Sequence, residues 1–185
     1  MRQADAHTLR EFMMASEFTP PAALSILTPA GLVAISDDDL EGALITYVVE
    51  KALPDPNDPA AVAALPSGLR AWYLTFVVDA QVLNGGFNQL FFNPTGALVP
   101  DAPAALTSVG IPEAADLVTA ALYLLGEHAP ALEAAVEAGT VEAFMETYID
   151  QPFAELDNAY GAAQETFRLA RIRFVREQAT AFTHP

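Results

Sequence analysis

The sequence has no cysteine and a single lysine among its 185 residues. Without cysteine there is no disulfide framework, no thiolate zinc site and no cysteine nucleophile. Long apolar runs are also missing, since Asp79 interrupts the strongest candidate, which falls short of the roughly 18 residues that a membrane span needs. The amino-terminal segment MRQADAHTLREFMMASE is mixed and polar, unlike a signal peptide. These features predict a cytoplasmic protein that does not bind membranes.

Positive charge is scarce and unevenly placed. The chain has 24 Asp and Glu against 8 Lys and Arg, a formal net charge of −16. Residues 71–167 hold 13 acids and no Lys or Arg, whereas four arginines crowd into the segment RLARIRFVRE. Such a chain repels nucleic acid and anionic membranes and attracts basic partners. The alternative, that the acidity only confers solubility, stays open.

Apolar residues are abundant, at 52% of the chain with a mean hydropathy of +0.27. A chain of this length is expected to form one domain with a sizeable core. Apolar side chains beyond what that core holds are commonly covered in an oligomer. We therefore expect a homodimer.

Helical periodicity dominates the chain, and no convincing alternation of strand residues is present. Apolar residues at offsets 0, 3, 4, 7, 8, 11 and 14 form the stripe of an amphipathic helix: Leu69, Trp72, Tyr73, Phe76, Val77, Ala80 and Leu83. The fold class predicted is all-α, a single compact multi-helix domain. Residues 1–36 are predicted to form an amino-terminal helix and an extended, proline-containing connector, and residues 37–185 the helical domain.

Capping and stop signals place the helices. Ser36 before three aspartates predicts a helix from residue 37 to about 53, followed by a proline-rich loop at 54–59. Proline at a first helical position, threonine at a cap and glycine at a stop predict the rest. The predicted helices are 1–17, 37–53, 67–83, 101–109, 112–126, 130–138, 141–150 and 152–180, with Pro112 and Pro152 as first residues, Thr140 as a cap and Gly110, Gly126 and Gly139 as stops.

The segment VLNGGFNQLFFNP interrupts an apolar helix with two glycines and resumes with phenylalanines among amides. Asn and Gly tolerate left-handed backbone angles, so Asn84-Gly85-Gly86 predicts a corner at 84–87. Gln89 and Asn93 are expected to satisfy the backbone groups exposed at that corner. A glycine-rich phosphate cradle is the functional alternative, but it lacks G-x-G-x-x-G, GK[ST] and any nearby Lys or Arg.

The same segment carries a resemblance. LPSGLRAWYLTFVVDAQVLNGGFNQLFFN, followed by LTSVGIPE and FAELDNAY, resembles the bacterial DNA-mimic protein family, whose core motif is N-G-G-F-x-Q followed by aromatics and Asn, over residues about 65–176. The motif positions here are Asn84, Gly85, Gly86, Phe87, Gln89, Phe91 and Asn93. The resemblance implies a compact helical fold and a negatively charged, dimeric protein that sequesters a DNA-binding transcription regulator.

Carboxylates spaced four residues apart are the candidate binding residues. They are Glu133, Glu137, Glu142, Glu146 and Asp150. Like charges at this spacing destabilise a helix by roughly 0.2–0.5 kcal/mol per pair, so folding alone does not favour them. A surface kept acidic to bind a basic protein accounts for them, and so does a solvated helix face at physiological salt.

The remaining polar residues indicate little chemistry. Arg168, Arg171, Arg173 and Arg176 are predicted to pair with acids such as Glu165 and Glu177, or with acidic helices of the same subunit or a partner subunit, rather than to bind nucleic acid. Glu127-His128 offers two adjacent ligands without a supporting metal motif. Asp79 and Asp157 each have two possible roles from the sequence: a buried catalytic carboxylate, or a hydrogen-bond acceptor at the glycine corner. No nucleophile–base pair is evident, so no catalytic residue, metal or cofactor is predicted.

Three functions remain open from the sequence. The first is an acidic DNA mimic that occupies the DNA-binding surface of a basic protein, without binding nucleic acid or membrane itself. The second is an interaction module of another kind, a toxin inhibitor or a complex subunit, that binds through an apolar surface. The third, less favoured, is an enzyme.

Overall fold

The computed structural model describes residue 24, residues 26–149 and residues 151–183. The helix predicted at 1–17 lies outside the described residues. Within them all regular structure is helical, which confirms the all-α prediction. The α-helices are α1 (Pro29–Ala34), α2 (Asp37–Tyr47), α3 (Pro59–Ala63), α4 (Ser67–Phe92), α5 (Ala102–Val109), α6 (Pro112–Ala138), α7 (Val141–Glu146) and α8 (Ala154–Glu177).

Shorter helical segments of other types complete the chain. A π-helical turn, Val48–Ala52, continues α2, and 3-10 segments cover Pro94–Asp101 and Ala179–Phe182. No helix of the described part is both long enough and apolar enough to cross a membrane.

The chain forms two compact units. Among the described residues, one unit contains those up to Tyr73 and those from Ile172 onward, and the other contains those within Leu74–Arg171. The helices α4 and α8 each contribute residues to both. The division at residue 36 that we expected from the sequence stays a prediction.

The first unit has an apolar core under α1 and α2. Thr28 caps α1 by accepting a hydrogen bond from the Gly31 N–H, with Pro29 as its first residue. This short helix lies within the segment that we predicted to be extended, because the sequence supplies both a cap and a proline start. Ser36 caps α2 as predicted, accepting from the Asp39 N–H at 3.2 Å. The buried core includes Leu32, Leu40, Leu44, Val48, Leu69, Trp72 and Phe182.

The second unit is built around α4, α6 and α8. Its buried residues include Val77, Val78, Phe87, Leu90, Leu106, Val118, Phe153, Tyr160 and Phe167. Leu69, Trp72, Tyr73 and Val77 of the predicted stripe on α4 are buried, whereas Phe76 and Ala80 are half-buried. At the end of the stripe Leu83 is exposed and its neighbour Val82 is buried.

Helix α6 is one continuous helix where the sequence predicted two. It runs through Gly126 and Pro130, which we predicted to separate two helices. Buried alanines on both sides of the predicted break, Ala121 and Ala135, lie fourteen residues apart, close to four turns, and so on nearly the same face. Packing of that face overrides a glycine whose intrinsic penalty is only about 1 kcal/mol. Gly110 and Gly139 do end their helices as predicted, and both have the left-handed conformation.

The two helices that follow also differ from the prediction. Thr140 caps α7 as expected, but α7 ends at Glu146 rather than at residue 150. Helix α8 begins at Ala154 rather than at Pro152, after a turn in which Gln151 has a φ of 43°.

Candidate functional site

The glycine corner breaks α4 as the sequence predicts. Gly85 has φ −157° and ψ 28°, and Gly86 has φ 71° and ψ −175°. The angles of Gly86 belong to a region that is essentially restricted to glycine. A β-carbon on Gly86 would also lie 2.6 Å from Oδ2 of Asp157. Both backbone angle and space therefore require glycine here.

Two side chains from later in the chain satisfy the backbone of the corner. Oδ1 of Asp157 accepts a hydrogen bond of 2.8 Å from the Phe87 N–H, and the Tyr148 hydroxyl donates one of 2.5 Å to the Gly85 carbonyl. Burial raises the pKa of Asp157 above its usual value of 3.8, against the opposing effect of the Phe87 hydrogen bond. Burial also raises the pKa of Tyr148, to about 12, with a smaller contribution from Asp157. Asp157 thus has the acceptor role that the sequence left open.

Gln89 and Asn93 do not serve the backbone of the corner, contrary to our expectation. Gln89 Nε2 and Asn93 Nδ2 both donate to Oε1 of Gln81, at 2.9 Å and 2.7 Å. Asn84 Nδ2 donates to Oε1 of Gln89 at 2.9 Å. These amides tie the two halves of α4 together across the kink.

The corner is not a phosphate cradle. The Phe87 N–H, which an anion would need, already binds the Asp157 carboxylate, and a second negative charge beside it is unfavourable. Aromatic rings fill the space behind it: the Phe87 ring lies 6.2 Å from that of Phe153 and 6.1 Å from that of Tyr160. The corner is a packed structural element.

Asp79 is held in a buried ion pair. Its Oδ2 lies 2.9 Å from NH2 of Arg171, and its Oδ1 lies 3.4 Å from the Tyr160 hydroxyl. Only 1% of the Arg171 side chain and 13% of the Asp79 side chain are exposed. Burial first, and then the Asp79 charge, raises the pKa of Tyr160. Asp79 therefore neither caps the glycine corner nor lies open to a substrate.

The acidic residues that we singled out lie on two consecutive helices that contact each other. Glu133 and Glu137 are on α6, Glu142 and Glu146 are on α7, and all four are exposed. Asp150 lies outside the described residues. None of the four forms an ion pair with any residue that the structure describes. We call these four residues the acidic surface.

The carboxyl-terminal arginines pair with other acids. Arg168 binds Glu165 at 2.9 Å, as predicted, and its hydrogen bond lowers the pKa of Glu165. Arg176 binds Asp37 at 2.5 Å, a pairing with an acidic helix of the same subunit such as we predicted, and its guanidinium also donates to the carbonyls of Leu32 and Ile35. Neither these pairings nor that of Arg171 with Asp79 involves a residue of the acidic surface.

Apolar side chains lie exposed on α7 and in the turn that follows it. Val141, Met145 and Ile149, spaced four residues apart, are 73%, 59% and 76% exposed. A groove of about 360 Å³ opens beside α6, and its wall is mostly apolar. It is lined by Phe91, Gly96, Leu125, Ala129 and Val136, with Glu133 and Glu137 at its edge.

The glycine corner holds α7 and the groove in place. Asn88 Nδ2 donates to the Thr147 carbonyl at 3.1 Å, next to the Tyr148 hydroxyl that binds Gly85. The Phe92 ring packs at 4.5 Å from that of Phe144 on α7. Since Phe91 also lines the groove together with Glu133 and Glu137, this part of α4 contacts both the groove and α7.

Metal chemistry finds no support in the described part. Among those residues no group of three or more His, Asp or Glu side chains is close enough together to hold a metal ion. His128, considered with Glu127 as a ligand, places its ring edge against Phe153, with centroids 6.4 Å apart.

Sequence reasoning missed two residues of this arrangement, Gln81 and Tyr148. Gln81 is buried on an apolar helix, where an amide needs partners, and that is a signal available from the sequence. Tyr148 binds a carbonyl 63 residues earlier, and no local pattern reveals such a contact.

Comparison with known proteins gives one family. Residues 63–178 match the family described as DMP19-like protein. No curated protein and no solved structure matches the chain.

Proposed function

Because the chain belongs to the DMP19-like protein family, which suggests a DNA mimic, we propose that it binds a DNA-binding protein through the acidic surface in place of DNA. The observation that carries the proposal is the set of four exposed carboxylates on α6 and α7 without an ion-pair partner among the described residues. Residues 71–167 contain no Lys or Arg, so no basic residue of this segment weakens the potential there.

The spacing of the carboxylates supports the proposal. Glu133 and Glu137, and likewise Glu142 and Glu146, are separated by four residues, about 6 Å along a helix axis. A basic surface that reads DNA binds rows of phosphate charges of similar separation, chiefly through Lys and Arg. The four carboxylates present negative charge to such a basic surface but no nucleobases for it to read. The partner is accordingly a basic DNA-binding protein such as a transcription regulator.

The experiment compares two variants of equal net charge. In one, Glu133, Glu137, Glu142 and Glu146 are all replaced by Gln; in the control, Glu113→Gln, Asp116→Asn, Glu127→Gln and Glu155→Gln remove four other exposed acids. Purified DNA-binding proteins of the same host are titrated with the wild type and with each variant, in the presence and in the absence of duplex DNA.

We expect at least one host protein to bind the wild type in competition with DNA, with affinity falling at least about tenfold between 50 and 200 mM NaCl. The acidic-surface variant should lose most of this binding and the control variant little. Equal loss in both variants, or no salt-sensitive binding by any host DNA-binding protein, contradicts the proposal.

A second function is favoured by the exposed Val141, Met145 and Ile149. An apolar stripe of this kind fits an interaction module, such as a toxin inhibitor or a complex subunit, that binds a partner with little help from charge. Such binding survives high salt and is lost when Met145 and Ile149 are replaced by Ser, whereas replacing the four glutamates leaves it intact. The homodimer expected from the apolar composition stays a prediction.

A further inference from the structure

The groove beside α6 combines a feature that the proposed function requires with one that it does not. Its wall is apolar, formed by Phe91, Leu125, Ala129 and Val136, and Val136 is 47% exposed. Two carboxylates of the acidic surface, Glu133 and Glu137, stand at its edge, one helical turn apart. A purely electrostatic decoy needs the carboxylates but has no use for the apolar wall.

We infer that this groove is the docking site for an amphipathic basic helix of the partner, with an apolar side chain in the groove and Lys or Arg side chains on Glu133 and Glu137. This rests on the proposed function and names the element that the surface recognises. At about 360 Å³ the groove has room for a side chain of the size of Leu or Met. Long basic side chains suit its edge, because their aliphatic stems cover apolar surface while their charged ends reach carboxylates.

Charge selects this occupant over others. A second copy bound by two-fold symmetry through this groove would bring its own acidic surface toward Glu133 and Glu137, with no Lys or Arg from residues 71–167 to offset the repulsion. An acidic or purely apolar helix would leave the two carboxylates unpaired at the edge of an interface. A basic amphipathic helix matches both the apolar wall and the charged edge.

The two contributions are separable because they respond differently to salt. Attraction between exposed charges weakens as salt is added, with a Debye length of about 8 Å at physiological ionic strength, whereas burial of an apolar side chain is not weakened by salt. The groove therefore predicts a partner affinity with a salt-sensitive part and a salt-resistant part.

The test uses synthetic helical peptides with the full-length protein. The probe peptide carries Leu on one face and Arg on the flanking positions. One control peptide replaces each Leu by Ser and keeps the Arg residues; the other replaces each Arg by Glu and keeps the Leu residues. Binding is measured by fluorescence anisotropy at 50 and 300 mM NaCl.

Protein variants separate the wall from the edge. Val136→Ser is expected to weaken binding of the probe about tenfold at both salt concentrations. Glu133→Gln with Glu137→Gln is expected to weaken it about tenfold at 50 mM and little at 300 mM. The matched controls are Val33→Ser, an exposed valine on α1, and Glu113→Gln with Asp116→Asn at the start of α6; both should bind within twofold of wild type.

Three results would overturn the inference. Equal binding of the Ser-containing peptide, or no effect of Val136→Ser, shows recognition by charge alone and leaves the proposed function intact. Binding of neither basic peptide, together with self-association that Val136→Ser abolishes in sedimentation equilibrium, assigns the groove to a second copy. If host DNA-binding proteins also fail to bind the full-length protein, both this inference and the proposed function are wrong.

Discussion

The carboxylate of Asp157 accepts a 2.8 Å hydrogen bond from the backbone N–H of Phe87, 70 residues earlier in the chain. The same carboxylate occupies the space where a side chain at Gly86 would stand. Asp157, a residue of α8, thus leaves room only for glycine at position 86 and also supplies the hydrogen-bond acceptor for the Phe87 N–H. The shape of the corner in turn places Tyr148 and Thr147, which follow α7, against α4.

Replacing Asp157 by Ala should lower the free energy of unfolding by about 1–2 kcal/mol, because the partly buried Phe87 N–H loses its acceptor. Asp157→Asn keeps an acceptor oxygen at the same place and should change it by less than about 0.5 kcal/mol. Urea unfolding at pH 7 measures both. Equal losses would mean that the charge, and not the hydrogen bond, holds the corner.

The difference in unfolding free energy between the wild type and Asp157→Asn should depend on pH. The pKa of Asp157 is raised in the folded protein, mainly by burial, so the folded state binds this proton more tightly than the unfolded state. The stability of the wild type relative to Asp157→Asn should therefore increase as pH falls from 7 through the raised pKa toward 3.8, and decrease as pH rises. Unfolding free energies at several pH values between 4 and 7 measure the difference. A decrease toward low pH would show that the Phe87 hydrogen bond outweighs burial.

Gly86→Ala should destabilise the protein by about 2 kcal/mol or more, because its backbone angles are strained for alanine and its β-carbon would meet Asp157. Gly161→Ala is the matched control, a glycine within α8 with no atom within 4 Å of an added β-carbon. It should stabilise by about 0.5–1 kcal/mol. Thermal unfolding of the two variants gives the comparison, and a neutral Gly86→Ala would refute the geometry of the corner.

Breaking the ion pair between Asp79 and Arg171 should cost about 3–5 kcal/mol in either single variant, Asp79→Leu or Arg171→Met, because the buried charge that remains loses the opposite charge beside it. The double variant Asp79→Leu, Arg171→Met should lose much less than the sum of the singles. Chemical denaturation of all four proteins completes the cycle. Additive losses would show that the two side chains do not act as a pair.

Glu137→Gln should stabilise the protein by about 0.5 kcal/mol at low salt, because Glu137 lies in the last turn of α6, one turn from Glu133. Glu113→Gln in the first turn of the same helix removes a favourable interaction with the helix dipole and should destabilise by a similar amount. Both effects should vanish at 0.5 M NaCl. The sign of the first variant, read by chemical denaturation, decides whether Glu137 is held at a cost to folding.

Local signals predicted most helix boundaries because caps and stops act within one turn. Ser36, Thr140, Gly110 and Gly139 perform the roles expected of them. The same rules failed at Gly126 and Pro130, where packing of α6 outweighs local propensity. They also failed for Gln89 and Asn93, whose common partner, Gln81, could not be chosen from spacing alone.

The sequence by itself determined that the chain is helical, that its helix breaks at Asn84-Gly85-Gly86, and that its central segment is acidic without basic residues. These properties follow from composition and from interactions between residues one to four positions apart. Only the tertiary structure decided which charges are neutralised. Asp79 meets Arg171 from 92 residues away and Asp37 meets Arg176 from 139 residues away, while Glu133, Glu137, Glu142 and Glu146 stay exposed on α6 and α7. Pairing of side chains so distant in the chain depends on how the helices pack, which no local pattern specifies.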